Sequence, residues 1–315
     1  MGIILISLLG NIYISHKQAE SLLLIGKIDS RYRINLRDSY TAIVEVSMGK
    51  RWKRVSAAVL YIETLCLITI YLLISSQLLV IFVGQFTSVL SGHESFRIWL
   101  LILAAFLMPL TWFGRPQEYW GVALAAIVTT VVSVIAILTK LWLDAPQDIS
   151  VVKHRNVTVE TFFLGMGTIF FAFTGVMYFP NIQSDMKKKS EFTKSAIVGY
   201  LLVVATYLPV ALTGYLTLGG SIEGNILMNV LRHGEFEPTA ARITIHHIFG
   251  NIAVLCLGFH FVCGYNLLLN PMAQEIEEAL KIPKGTKSYT LHGCVCKYLT
   301  RFGSLKKRPK SINKL

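Results

Sequence analysis

The chain has 315 residues, of which 53% are hydrophobic and only 15% charged, with a formal net charge of +12. A soluble domain carries about 25% charged residues, so much of this surface does not face water. The positive charge lies between apolar runs rather than over one face, which is the pattern of membrane topology and not of a nucleic-acid partner.

A helix that crosses the hydrocarbon core needs about 20 mostly apolar residues at about 1.5 Å each. Seven apolar runs follow in chain order: Gly2 to Ile14, Ser56 to Phe86, Ile98 to Phe113, Trp120 to Leu143, Val159 to Ile182, Ala196 to Leu218 and Ile243 to Leu269. They predict an all-α, multi-pass membrane protein of about seven transmembrane helices. Residues 1-282 form the transmembrane domain, and 283-315 a basic cytoplasmic tail with little apolar periodicity. The first run is short, but it has neither the basic start nor the small-residue cleavage pattern of a signal peptide. Ile6 stands where a myristoylation motif wants Ser or Thr.

Counting Lys and Arg loop by loop puts 24 on one side of the membrane and 6 on the other. The richer side faces the cytoplasm, which places the N-terminus outside and the C-terminus inside. Asn156-Val157-Thr158 is then a glycosylation sequon on the outer side, close to the membrane. From Asn35 to Lys50, Leu36, Tyr40, Ile43, Val44 and Met48 alternate with polar residues, predicting an amphipathic helix on the inner surface. Cys66, Cys256 and Cys263 fall in apolar spans, and Cys294 and Cys296 in the tail; no disulfide framework or metal site is implied.

The fifth run is the most informative. Gly165, Gly167 and Gly175, with Thr168 and Thr174, concentrate glycines and hydroxyls within eleven residues, and Pro180 follows. Two readings fit. Small residues such as Gly165, Gly167 and Ala172 allow close helix packing. Equally, Gly165, Gly167 and Thr168 mark a helix break, whose freed backbone groups must be satisfied by protein, ion or cargo. No metalloprotease His pair, hydrolase serine motif or complete phosphate loop is present, so neither an enzyme nor a cofactor is expected.

The run Gly167-Thr168-Ile169-Phe170-Phe171-Ala172-Phe173-Thr174-Gly175 is followed by Phe179-Pro180-Asn181-Ile182-Gln183-Ser184-Asp185-Met186-Lys187 and then Phe192. It resembles the sixth helix of the amino acid/auxin permease family. Tyr71-Leu72-Leu73 resembles that family's third helix, and Asn270-Pro271 with Glu275 and Glu277 the end of its eighth. The resemblance implies a partial inverted-repeat fold (5+5 helices) in which this chain supplies helices two to eight. It also implies a piece of a longer transporter, from an incomplete gene model or a truncated product, because helix one and helices nine to eleven have no counterpart. If it holds, Phe171, Ala172, Phe173, Thr174 and Gly175 line the substrate site with Tyr71 opposite, and the partners are an amino acid, a coupling cation (proton or sodium) and the bilayer.

Ionisable residues inside spans are costly to bury and default to functional suspects. Glu63 lies about two turns inside the second run, and His260 midway along the seventh, where it is either a neutral imidazole bonded between helices or an ion-coupling group. Lys140, beside Trp142, is expected to snorkel to the interface. The expected function is ion-coupled secondary transport (symport) of amino acids at the plasma membrane or an endolysosomal or vesicular membrane. Alternatives are a seven-helix receptor, which Asn270-Pro271 imitates but Gln274 does not complete, and a non-transporting membrane partner of a full-length transporter.

Overall fold

The computed structural model describes residues 2–28, 39–84, 93–110, 120–146, 148–231 and 240–279. The tail 283–315, Cys294 and Cys296, and the side chains of Asn270, Pro271, Glu275 and Glu277 lie outside them, as do those of His246 and His247. Among the described residues there is no strand. Ten α-helices follow in order: α1 Gly2–Ile28, α2 Ser39–Met48, α3 Lys50–Gly84, α4 His93–Leu110, α5 Trp120–Leu143, α6 Val159–Ala172, α7 Phe179–Asp185, α8 Phe192–Leu218, α9 Ile226–Leu231 and α10 Ala240–Ala279.

Among the described residues, five segments are long and apolar enough to cross a membrane: Lys50–Gly84, Trp120–Leu143, Val159–Asp185, Lys189–Ser221 and Ile248–Leu269. Ser95–Met108 is a shorter apolar helix. The first run continues as α1 to twice its expected length, because the polar stretch from His16 to Ser21 stays helical. α3 is about 52 Å long at about 1.5 Å per residue, so its basic first turn, with Lys50, Arg51, Lys53 and Arg54, extends past a hydrocarbon core of about 30 Å.

The chain divides into two compact units, Met1–Ile62 with Val131–Ala253, and Glu63–Thr130 with Val254–Leu315. In the first, α1 packs against α2, α6, α7 and α8. One face of α1 carries Ser7, Asn11 and Ser15, one turn apart. Asn11 Nδ2 donates to the Ser7 carbonyl at 2.8 Å and Ser15 Oγ to the Asn11 carbonyl at 2.6 Å. Bonding back to its own helix lets Ser15 be buried, whereas the buried Ser7 Oγ has no hydrogen-bond partner among the described residues. Leu8 packs with Phe173 and Tyr200 in one core cluster, and Ala19 with Phe192 and Ala196 in another.

The amphipathic helix expected on the inner surface corresponds to α2, but its buried residues are the small Ser39, Thr41 and Ala42, not its large apolar ones; Met48 is exposed. Small side chains let α2 lie close against α7. Lys140 does not snorkel. It is 2% exposed and paired with Asp144, one turn further along α5. A counter-charge within reach on the same helix face offsets burial better than a stretched route to the interface.

In the second unit, Leu103 and Leu107 of α4 are buried, and α3 meets α10 where Leu78 lies by Gly258 and Tyr71 by Gly264. Cys263 is buried and Cys66 exposed; both are free thiols, as is Cys256.

Candidate functional site

α6 begins at Thr158, which caps it: Thr158 Oγ1 accepts from Thr161 N at 3.2 Å, and Thr161 Oγ1 accepts from Thr158 N at 2.9 Å. This reciprocal capping box satisfies two orphan donors of the first turn. Gly165, Gly167 and Thr168, expected to break the helix, lie within its regular turns, and Thr168 Oγ1 donates to the Leu164 carbonyl at 3.0 Å. Glycine lowers helix propensity by about 1 kcal/mol, whereas an unpaired backbone group in hydrocarbon costs several. Glycine content alone therefore does not unwind a membrane helix.

The interruption lies further along, from Phe173 to Tyr178. Phe173 N donates to Phe170 O and Thr174 N to Phe171 O, each at 3.1 Å, so the last turn tightens. Thr174 Oγ1 donates to the same Phe171 carbonyl at 2.7 Å. Gly175 then takes φ +117°, a left-handed conformation that a side chain would strain. A 3-10 turn, Val176–Tyr178, leads into α7, where Pro180 stands in the first turn and has no N–H to lose.

Residues on the far side of the break hold it in place. Gln183 is fully buried; its Nε2 donates to the Lys189 carbonyl at 3.0 Å and to the Ala19 carbonyl of α1 at 3.3 Å. Asn181 Oδ1 accepts the Ser39 N–H at the start of α2, at 2.9 Å. The Tyr200 ring lies 6.2 Å from that of Phe173 and 5.8 Å from that of Phe179. The anchoring roles of Asn181, Gln183 and Tyr200 were not read from sequence. Polar residues just after a proline at the end of an apolar run were the available signal.

Of the residues expected to line a substrate site, Phe171 and Thr174 are exposed, Ala172 and Gly175 are half-buried, and Phe173 is turned into the core with Leu8 and Tyr200. In the second unit, Tyr71 stands edge-on to Phe261, with ring centroids 5.3 Å apart, and its Cε2 lies within clashing distance of where a Cβ on Gly264 would be. Glu63 is half-buried, and its Oε2 has no hydrogen-bond partner among the described residues. His260 Nδ1 lies 2.7 Å from Thr130 Oγ1 and 3.2 Å from the Ala126 carbonyl oxygen. Among the described residues no cluster of three or more His, Cys, Asp or Glu side chains could hold a metal ion.

Comparison with known proteins agrees with this layout of apolar helices. The family described as "Transmembrane amino acid transporter protein" matches residues 2–305. Amino acid transporter AVT1B of Arabidopsis thaliana is 21% identical over 245 residues, which are 77% of this chain and 42% of that protein. Amino acid transporter AVT1D, from the same plant, is 21% identical over 250 residues, 78% of this chain and 42% of its own length. Lysine histidine transporter-like 3, also from Arabidopsis, is 29% identical over 171 residues, 51% of this chain and 38% of its own length. The chain thus spans less than half the length of the curated relatives it matches. No solved structure matches it. The matches leave the seven-helix receptor without support and point to transporters rather than enzymes. By the extent of the family match and by its apolar helices, this multi-pass membrane protein belongs to the transmembrane amino acid transporter protein family.

Proposed function

We propose that the chain takes part in moving amino acids across a membrane by ion-coupled secondary transport, with the interruption from Phe173 to Tyr178 as the place where cargo is held. One observation carries this: the membrane-length apolar segment Val159–Asp185 is broken partway by the left-handed Gly175. An interrupted helix leaves carbonyls at the end of one half and N–H groups at the start of the other without intrahelical partners. In lipid those groups need a substitute for water. The carbonyl end suits an ammonium or metal cation and the N–H end a carboxylate, and a zwitterionic amino acid brings both charges.

In this proposal Phe171, Ala172, Thr174 and Gly175 line the site, and Phe173 props it from the core. Gly165, Gly167 and Thr168 give α6 a small-residue face for close approach. His260 and Glu63 are the coupling candidates for a proton or sodium ion. The helices correspond to family helices two to eight of a 5+5 inverted repeat, counting α1 and α4 with the five membrane-length apolar spans. Residues 1–282 form the transmembrane domain, with 283–315 as its cytoplasmic tail, in a plasma or endolysosomal membrane.

The test is accumulation of a labelled amino acid mixture in proteoliposomes under an inward proton or sodium gradient. Accumulation above the no-gradient control, lowered by Thr174→Ala, is expected. None under either gradient would sink transport by this chain. A second reading is that the chain is a non-transporting membrane partner of a full-length family member. Co-purification with such a transporter distinguishes it.

A further inference from the structure

His260 lies in the membrane-length part of α10 and is half-buried. Its Nδ1 is 2.7 Å from Thr130 Oγ1 and 3.2 Å from the Ala126 carbonyl oxygen, both on α5. The Thr130 hydroxyl in turn lies 2.8 Å from that same carbonyl. Three atoms therefore form a triangle, and one of them, the carbonyl oxygen, can only accept.

The protons in this triangle have one favourable arrangement. Thr130 donates its hydroxyl proton to the Ala126 carbonyl, and His260 Nδ1–H donates to Thr130 Oγ1 while grazing the carbonyl. In the reverse arrangement Thr130 donates to a bare Nδ1, whose lone pair then faces a carbonyl lone pair at 3.2 Å. The hydrogen bond at one ring nitrogen sets the state of the other.

We infer that Thr130 and the Ala126 carbonyl hold His260 in its Nδ1–H form, which makes Nε2 a dedicated proton-binding atom; the inference rests on the coupling role proposed for His260. Loading forms an N–H bond at Nε2 with a proton given up by water on one side of the membrane, and unloading returns it on the other. The imidazolium keeps Nδ1–H, so the contact between α5 and α10 survives both states. The ring can then change charge without releasing the helix that orients it. Thr130 is a positioning residue; it does not itself carry the proton.

The surroundings of the ring are compatible with this. α5 presents the Thr130 hydroxyl and the Ala126 carbonyl and has no ionisable side chain between Trp120 and Thr130. On α10 the neighbour is the Phe261 ring, 5.6 Å away, whose centroid lies 5.3 Å from that of Tyr71 of α3. Cys256, Cys263 and Tyr265 are the titratable groups near it on α10, and Glu63, Cys66 and Tyr71 those on the same part of α3. Among the described residues no charged side chain pairs with His260.

The test is nitrogen NMR of the full chain in lipid bilayers, with histidine rings labelled and the His260 signal assigned among the eight histidines by its loss in His260→Gln. Near neutral pH the expected signal has a protonated Nδ1 and a bare Nε2. Thr130→Val, which keeps the shape and removes the hydroxyl, leaves only the longer contact to the Ala126 carbonyl and is expected to raise the Nε2–H population measurably, and Thr130→Ser to restore the wild-type ratio. A wild-type ring protonated at Nε2, or a Thr130→Val spectrum identical to wild type, overturns the inference. Uptake separates this from the transport proposal. Loss of pH dependence in His260→Gln supports a proton-binding Nε2, and unchanged pH dependence in both His260→Gln and Thr130→Val overturns it. Absence of uptake under every gradient counts against transport alone, since the ring signal is read without it.

Discussion

The side-chain oxygen of Asn181 accepts the backbone N–H of Ser39 at 2.9 Å, joining residues 142 positions apart in the chain. The second half of the broken helix thereby caps the helix expected on the inner membrane surface. Replacing Asn181 with Ala removes an external cap, an effect of about 1 kcal/mol by analogy with N-caps. Hydrogen exchange is expected to quicken at residues 39–42 and to stay unchanged at the start of α6. Equal quickening at both ends would show that Asn181 acts through global stability instead.

Gln183 binds more deeply. Gln183→Leu leaves the Ala19 and Lys189 carbonyls without their side-chain donor in a site with no exposure, which costs about 1–3 kcal/mol. The melting temperature in detergent should fall for Gln183→Leu, whereas Gln77→Leu on the exposed face of α3 serves as a neutral control. Equal melting of the two variants would contradict the anchoring role.

The three glycines of the fifth apolar run should part company on substitution. At Gly175, Ala must adopt φ +117°, and destabilisation above about 1 kcal/mol is expected. At Gly165 and Gly167 an added Cβ meets nothing within 4 Å, so Ala there is expected to be neutral or to add up to about 1 kcal/mol of helix stability. Thermal melts of the three variants, side by side, check the order.

Gly264→Ala puts a Cβ into clashing distance of Tyr71 Cε2, and the ring also packs edge-on against Phe261. A loss of about 1–3 kcal/mol is expected from overpacking. Tyr71→Ala should recover part of it in the double variant, because residues in contact couple. Additive losses would mean that the two do not meet.

Asp148 accepts from Ser150, whose hydroxyl and backbone N–H hold its carboxyl below the usual value of 3.8. A depressed carboxyl stabilises the folded form above that value, and the contribution is lost as pH falls through the lower, folded value. The turn Ile149–Val151 should therefore exchange faster under strongly acid conditions, and Asp148→Asn should remove that acid dependence. Exchange that quickens between neutral pH and pH 5 would point to another group.

The ends of the fourth apolar run were legible because lipid demands long uninterrupted hydrophobicity, and Trp120–Leu143 is the same in sequence and structure, whereas the first run carries on through polar residues to Ile28. The position of the break was not legible. Gly165 and Gly167 advertise permissiveness, but only Gly175 is held outside the right-handed region, by a tightened turn on one side and Pro180 on the other. The pairing of Lys140 with Asp144 has a signal in the sequence, the i, i+4 spacing, but the same spacing also occurs where a lysine beside an interfacial Trp reaches for water. Contacts such as that of Thr130 with His260, 130 residues apart, leave no local trace in a single sequence.

α6 has no buried residue, while α7 buries Pro180, Gln183 and Ser184. Apart from Ile169 and Ala172, which pack on the core, the stretch Val159–Ala172 thus takes its surroundings from whatever fluid or partner bathes it, and Phe179–Asp185 takes its own from the protein. Bilayer thickness and acyl-chain order are therefore felt first by one arm of the bend, with Gly175 as the joint at which the membrane's state passes into the fold.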